Sequence, residues 1–117
     1  MSAGKYNTEI EKGATFKRTI TYKDGTDTPV DLFGASIRMQ IRDNYTSETA
    51  AISIDTSSGG ISIDEPENGI FTIELTPAET ESLDFRQGVY DIEIEYTEGT
   101  VERVLEGRVK IKPQVTQ

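Results

Sequence analysis

Three carboxylates occupy alternate positions in one segment of the chain, at Asp91, Glu93 and Glu95. Paired carboxylates can perform general acid-base catalysis when their surroundings separate their pKa values. Alternate positions also describe the solvent-facing side of any strand, where basic residues on neighbouring strands can compensate the charge. We interpret the row as a solvated strand face, with contact to a protein partner as the alternative. The candidate compensating residues are Arg38, Arg42, Arg103 and Arg108.

The hairpin that follows this row adds a reason to expect basic residues close to it. A two-residue turn at Glu98 and Gly99 would place Glu95 opposite Glu102 and Asp91 opposite Glu106. Like charges directly opposite each other destabilise a sheet. We therefore expect basic side chains close to this hairpin, or a basic surface on a partner.

A second acidic cluster, Asp24, Asp27 and Asp31, could offer oxygen ligands to calcium, but its spacing differs from that of an EF-hand loop. Asp24-Gly25 is more simply the tip of a hairpin. The chain has neither histidine nor cysteine, which excludes a serine-histidine triad, a thiolate nucleophile and a cysteine-ligated zinc ion. We predict no catalytic residue, metal or cofactor, and a protein that is not an enzyme.

Tyrosines are the other candidates for binding, because their rings bury much area and keep a polar end. Tyr22, Tyr90 and Tyr96 fall in phase with core positions and are expected to pack inside. Tyr45 lies in a polar loop, and Tyr6 lies close to the amino terminus. We take these two as candidate contacts with a partner.

Alternation of apolar and polar residues recurs along the chain and predicts seven or eight short strands. The strands are centred on residues 16–22, 30–32, 37–41, 52–54, 61–63, 71–75, 90–96 and 101–111. Asn68-Gly69 predicts a reversal between two of them. Thr76, Pro77 and Glu79 form a capping box that predicts one short helical turn near 77–83.

The size and charge of the chain restrict its fold class and partners. Its 117 residues suit a single domain, 1–117, with a flexible amino-terminal arm at 1–8 and a carboxyl-terminal tail at 113–117. The net charge of −9 would repel nucleic acid. No apolar run suggests a signal peptide or a membrane span, so we expect synthesis in the cytoplasm and no membrane contact.

These patterns together predict an all-β fold, an antiparallel immunoglobulin-like β-sandwich. A small closed barrel is the alternative, since strand number and length fit both.

Several segments, taken in order, resemble small immunoglobulin-like virion proteins of tailed bacteriophages, including the amino-terminal domain of baseplate upper proteins. The matching segments are Gly13-Ala14-Thr15-Phe16, Asp24-Gly25, Pro29-Val30-Asp31-Leu32-Phe33-Gly34, Ile37-Arg38-Met39-Gln40-Ile41-Arg42, residues 68–76, residues 88–94, residues 103–107 and Val115-Thr116. The resemblance implies a structural component of the virion (tail, baseplate, fibre adaptor or capsid decoration) that docks onto other virion proteins, as a homo-oligomer or in a symmetric array. It implies no catalytic residue.

Other classes of function remain open at this point. A carbohydrate- or receptor-binding sandwich would use an exposed aromatic such as Tyr45. A host-directed inhibitor or an enzyme is the third class.

Overall fold

The computed structural model describes residues 4–44 and 46–113. These residues form nine strands, a 3-10 turn at Pro66–Asn68 and one short helix. In chain order the strands are β1 (Gly4–Lys5), β2 (Thr8–Glu11), β3 (Phe16–Thr21), β4 (Ser36–Arg42), β5 (Ile52–Asp55), β6 (Ile61–Glu65), β7 (Ile70–Leu75), β8 (Gln87–Glu95) and β9 (Val101–Lys112), and the helix is α1 (Pro77–Glu81).

The described strands form two sheets. In the larger sheet β9, β8, β4 and β5 follow one another antiparallel, and β1 and β2 both pair with the outer side of β9. In the smaller sheet β7 lies between β3 and β6. Apolar side chains at alternate positions of both sheets form one buried core, as the periodicity predicted. The expected all-β antiparallel sandwich is confirmed.

The described part of the expected amino-terminal arm lies along the chain's own larger sheet. β1 and β2 run parallel to β9, with Gly4 opposite Leu105 and Thr8 opposite Val109. Ile10 of β2 is fully buried in the core, which stabilises the folded state by about 1.5–3 kcal/mol relative to exposure. The segment therefore belongs to the sandwich from Gly4 onward.

Gly107 makes this pairing possible. A Cβ atom at this position would lie 2.0 Å from the carbonyl oxygen of Tyr6, well inside contact distance. Only a residue without a side chain lets the backbone of Tyr6 approach β9 here. A glycine in the middle of a strand thus marks a close approach of two backbones.

The predicted two-residue turn between β8 and β9 is wrong. Five residues, 96–100, connect the strands, and Glu95 pairs with Val101 instead of Glu102. The register changes between Ile92 and Glu93, where Val104 is the additional residue on β9. Beyond this bulge Asp91 lies opposite Glu106, as expected, whereas Glu93 lies opposite Arg103.

The predicted helical turn is confirmed, with both hydrogen bonds of the capping box between Thr76 and Glu79 present. Its anchor is Thr80, which is fully buried. The Thr80 hydroxyl accepts a hydrogen bond from the Gly13 amide at 3.0 Å and donates to the Ala14 carbonyl at 2.9 Å. The helix is therefore fixed to the turn between β2 and β3.

Residues 30–32 were expected to form a strand and do not. The chain makes only an isolated bridge between Lys23 and Pro29 and then a turn, in which the Ala35 amide donates to the Leu32 carbonyl at 3.0 Å. Leu32 is nevertheless fully buried. The apolar run thus anchors a loop and does not extend a sheet.

Candidate functional site

The outer face of β4, β8 and β9 carries a charged row that crosses three strands. Arg38, Glu93 and Arg103 lie opposite one another in the register of these strands. The Arg38 guanidinium lies 2.7 Å from Glu93, and the Arg103 guanidinium lies 3.6 Å from Glu93 and 3.4 Å from Asp91. The basic compensation expected for the acidic row is therefore supplied within the chain, by Arg38 and Arg103.

Asp91, two residues before Glu93 on β8, lines a polar cavity of about 340 Å³ beside this row. Burial raises the pKa of Asp91 above its usual range, and the nearby Arg103 opposes that shift without cancelling it. Arg42 lines the same cavity, but its guanidinium donates to the Ser47 carbonyl and to the Gln40 side chain. The cavity is thus lined by groups that are already partnered.

The described members of the predicted contact set lie in two places. Asp91, Glu93 and Glu95 share one face of β8, as expected for alternate positions, and Glu95 lies 4.0 Å from Arg38. Tyr6 is 56% exposed and lies along β9 on the amino-terminal segment, away from that row. Tyr45 lies outside the described residues.

A further surface, missed by the sequence analysis, lies where the loops after β3, β6 and β8 meet. We call these loops, residues 22–35, 66–69 and 96–100, the loop end. The Leu32 amide donates to the Pro66 carbonyl at 2.9 Å, which joins the first two loops. A Cβ atom at Gly34 would lie 2.6 Å from the Thr97 side chain, so the first and third loops are also in contact.

Phe33 projects from this loop end and is 80% exposed. Its backbone is fixed, because the Phe33 amide donates to the Asp31 carboxylate at 3.0 Å and Gly34 adopts a φ of 76° that favours glycine. A signal was present in the sequence: Leu32 and Phe33 are adjacent, and buried Leu32 cannot share its orientation with Phe33.

Two tyrosines of the loop end converge on one carboxylate. The hydroxyls of Tyr22 and Tyr96 each donate to the same oxygen of Glu102 at 3.0 Å. Burial, together with the hydrogen bond to Glu102, raises the pKa of Tyr22 to about 12, and the pKa of Tyr96 is raised by the same causes. Tyr22 and Tyr96 pack against the core, as predicted, and hold the loop end together.

The acidic cluster at residues 24–31 organises a turn. The Asp24 carboxylate accepts hydrogen bonds from the Thr26 amide and hydroxyl and from the Thr28 amide, which lowers its pKa. Among residues 4–44 and 46–113 no group of three or more acidic side chains is placed to hold a metal ion. No helix of the described chain is long and apolar enough to cross a membrane.

No protein-family model and no curated protein matches this chain. Solved structures do. The chain is similar to CopC from Methylosinus trichosporium OB3b, at 12% identity over 93% of this chain and 88% of that chain, with a TM-score of 0.49. It is also similar to the immunoglobulin-like domain of mouse leukocyte-associated immunoglobulin-like receptor 1 in a strand-swapped dimer, at 13% identity over 90% of this chain and 86% of that chain, with a TM-score of 0.50. The second likeness shows an immunoglobulin-like fold.

Proposed function

We propose that this chain is a non-catalytic structural protein of a tailed-phage virion, where it docks onto other virion proteins as a homo-oligomer or in a symmetric array. The order of its sequence segments, which resembles small virion sandwiches, supports the particle as the setting. The proposal places the protein in the virion after synthesis in the host cytoplasm.

The observation that carries the docking role is the exposure of Phe33 on a fixed turn. Because the backbone that carries Phe33 is already fixed, little backbone entropy is lost when the ring enters a pocket on a partner. Aromatic anchors of this kind supply a large share of the binding energy in protein interfaces. Val101, at the start of the strand that follows the third loop of the loop end, is also 48% exposed.

The test is sedimentation of the purified protein with phage particles that have been stripped of their small proteins. Wild type should sediment at a saturating copy number fixed by the symmetry of the particle. Phe33→Ser should weaken binding by about 2 kcal/mol or more, roughly thirtyfold. Phe33→Tyr, which keeps an aromatic ring at the same position, is the matched control and should bind like wild type.

Two results would contradict the proposal. A folded wild-type protein that never associates with particles would reject the virion role. Retention of wild type on a glycan array, lost in Phe33→Ser, would instead identify a carbohydrate-binding module. Circular dichroism of each variant would show that loss of binding does not come from loss of fold.

A further inference from the structure

An apolar groove of about 440 Å³ runs between the two sheets, beside β3 on one side and the β1–β2 segment on the other. Its floor and walls consist largely of core side chains. The apolar ones are Phe16, Ile20, Met39, Ile73, Ile92 and Leu105. The groove therefore borders the core along the β3 flank of the smaller sheet, where Ile20 and Leu105 are only partly buried.

The groove is bordered by a free strand edge. β3 pairs with β7 on one side, and no described strand lies on its other side. The Glu74 amide donates to the Gly60 carbonyl, on the side of β7 away from β3. Lys17 lies opposite Glu74 in the antiparallel register. The amide and carbonyl of Lys17 therefore point away from β7, towards the free side of β3. The same alternation applies to Thr19 and Thr21. Three residues of β3 thus present backbone donors and acceptors to the groove side.

Arg18 interrupts the apolar wall of the groove. It lies between Phe16 and Ile20 in the phase that faces the groove, and its guanidinium stacks on the Phe16 ring, 4.5 Å from the ring centroid. The same guanidinium donates to the outward Lys17 carbonyl at 2.9 Å. Lys5 lines the opposite wall. Neither Arg18 nor Lys5 forms an ion pair with another described residue, although the chain carries a net charge of −9.

We propose that this groove accepts an extended strand of a partner protein, in which an acidic residue is flanked two positions away on both sides by large apolar residues. The partner strand adds to the free edge of β3 and pairs with Lys17, Thr19 and Thr21. Its apolar side chains fill the groove beside Phe16 and Ile20, and its carboxylate meets Arg18. The six residues of β3 give room for a strand of about 20 Å.

A strand fits these features better than a small amphiphile does. An aliphatic carboxylate could occupy the apolar floor and reach Arg18, but it would give no hydrogen-bond partner to the edge amides of Lys17, Thr19 and Thr21. A strand would fill the apolar floor with its side chains and pair its backbone with the edge of β3. The groove is separate from the loop end, so this inference goes beyond the docking role of Phe33 and does not depend on it.

The experiment uses the whole protein and a capped synthetic heptapeptide, Thr-Ile-Thr-Glu-Thr-Ile-Thr. Amide hydrogen exchange followed by NMR should slow at Lys17, Thr19 and Thr21 when the peptide is added. A peptide with lysine in place of the glutamate should bind about tenfold more weakly or worse. Arg18→Glu should reverse this preference between the two peptides.

Lys17→Glu is the matched control, because it makes the same change of charge on the same strand with the side chain in the opposite phase. It should keep the preference for the acidic peptide. If Arg18→Glu fails to fold, Arg18→Gln should bind both peptides equally. The proposal would be overturned if wild type bound the two peptides equally, or if protection from exchange were confined to strands other than β3. It would also be overturned by no binding at millimolar peptide, or by binding of decanoate without binding of peptide.

Discussion

The hydroxyl of Tyr90 donates a hydrogen bond to the backbone carbonyl of Tyr6 at 2.5 Å. Tyr90 lies opposite Gly107, the residue that lets Tyr6 approach β9. The tyrosine on β8 thus reaches across β9 to the amino-terminal segment. The hydrogen bond joins β8 to the segment between β1 and β2 at the point where β9, which lies between them, has no side chain.

Tyr90→Phe should remove this link while keeping the ring in the core. We expect a loss of about 1 kcal/mol in the free energy of unfolding, the usual net value of one hydrogen bond. Urea denaturation would measure it, and hydrogen exchange at Lys5 and Tyr6 should become faster. Tyr96→Phe is the control, since it removes a hydroxyl hydrogen bond at the loop end. Equal exchange rates at residues 4–8 in wild type and Tyr90→Phe would contradict the role assigned to the hydroxyl.

Asp91 and Glu93 should respond differently to loss of charge. Burial raises the pKa of Asp91, so its charge is disfavoured in the folded protein, and Asp91→Asn should leave stability unchanged or raise it by less than about 1 kcal/mol at neutral pH. Glu93 bridges Arg38 and Arg103, so Glu93→Gln should lower stability by about 0.5–1 kcal/mol. Urea midpoints of the two variants, each losing one charge, would test the difference. A larger loss in Asp91→Asn than in Glu93→Gln would show the assignment to be reversed.

Thr80→Val should be among the most damaging conservative changes in the chain. Valine keeps the volume of Thr80 but leaves the Gly13 amide and the Ala14 carbonyl without their hydrogen-bond partner, which costs about 1–3 kcal/mol. The shift of the thermal midpoint would report the loss. Thr26→Val, in an exposed turn, provides the comparison and should change stability by less than half a kcal/mol or so. A Thr80→Val protein as stable as wild type would mean that water replaces the hydroxyl.

Alkaline pH should loosen the loop end. Burial and Glu102 raise the pKa of Tyr22 to about 12, and that of Tyr96 also above its ordinary value of 10.0. A tyrosine with a raised pKa holds its proton more tightly in the folded state. Its contribution to stability is therefore complete below a pH of about 10 and is lost as the pH rises through about 12.

The measurement is urea denaturation at several pH values across that range. In a Tyr22→Phe, Tyr96→Phe double variant the decline of stability with pH should be shallower than in wild type. Glu102→Gln should also make it shallower, because the negative charge near both hydroxyls is removed. An equal slope in all three proteins would assign the alkaline loss to other groups.

Local chemistry made much of this fold predictable. The capping box at Thr76 and Glu79 and the alternation from Tyr90 to Glu95 depend on neighbouring residues, so the helix and the charged face of β8 could be placed from the sequence. One feature depends on a distant residue. The pairing of β1 and β2 with β9 requires Gly107 about a hundred positions away, and nothing near Tyr6 signals it.

The register of the β8–β9 hairpin could not be predicted for a related reason. Glu95 pairs one residue earlier on β9 than the tight turn would require, and the bulged residue Val104 restores the predicted register from Ile92 onward, so the sequence is compatible with the simpler tight turn. Two adjacent apolar residues at 32 and 33 indicate that one of them faces solvent, but only the assembled core shows that Leu32 is the buried one and Phe33 the exposed one. In both cases tertiary packing decides among conformations that the local sequence leaves equivalent.

The parallel pairing of β2 with β9 has a mechanical consequence. A force that draws the amino-terminal end of β2 and the carboxyl-terminal end of β9 apart acts along both strands in opposite directions. The hydrogen bonds from Thr8 to Glu11 are then loaded in shear and must break together, whereas a hairpin pulled from its open end yields one bond at a time. Tension applied between the start of β2 and the end of β9 is therefore resisted mainly by this short strand pair.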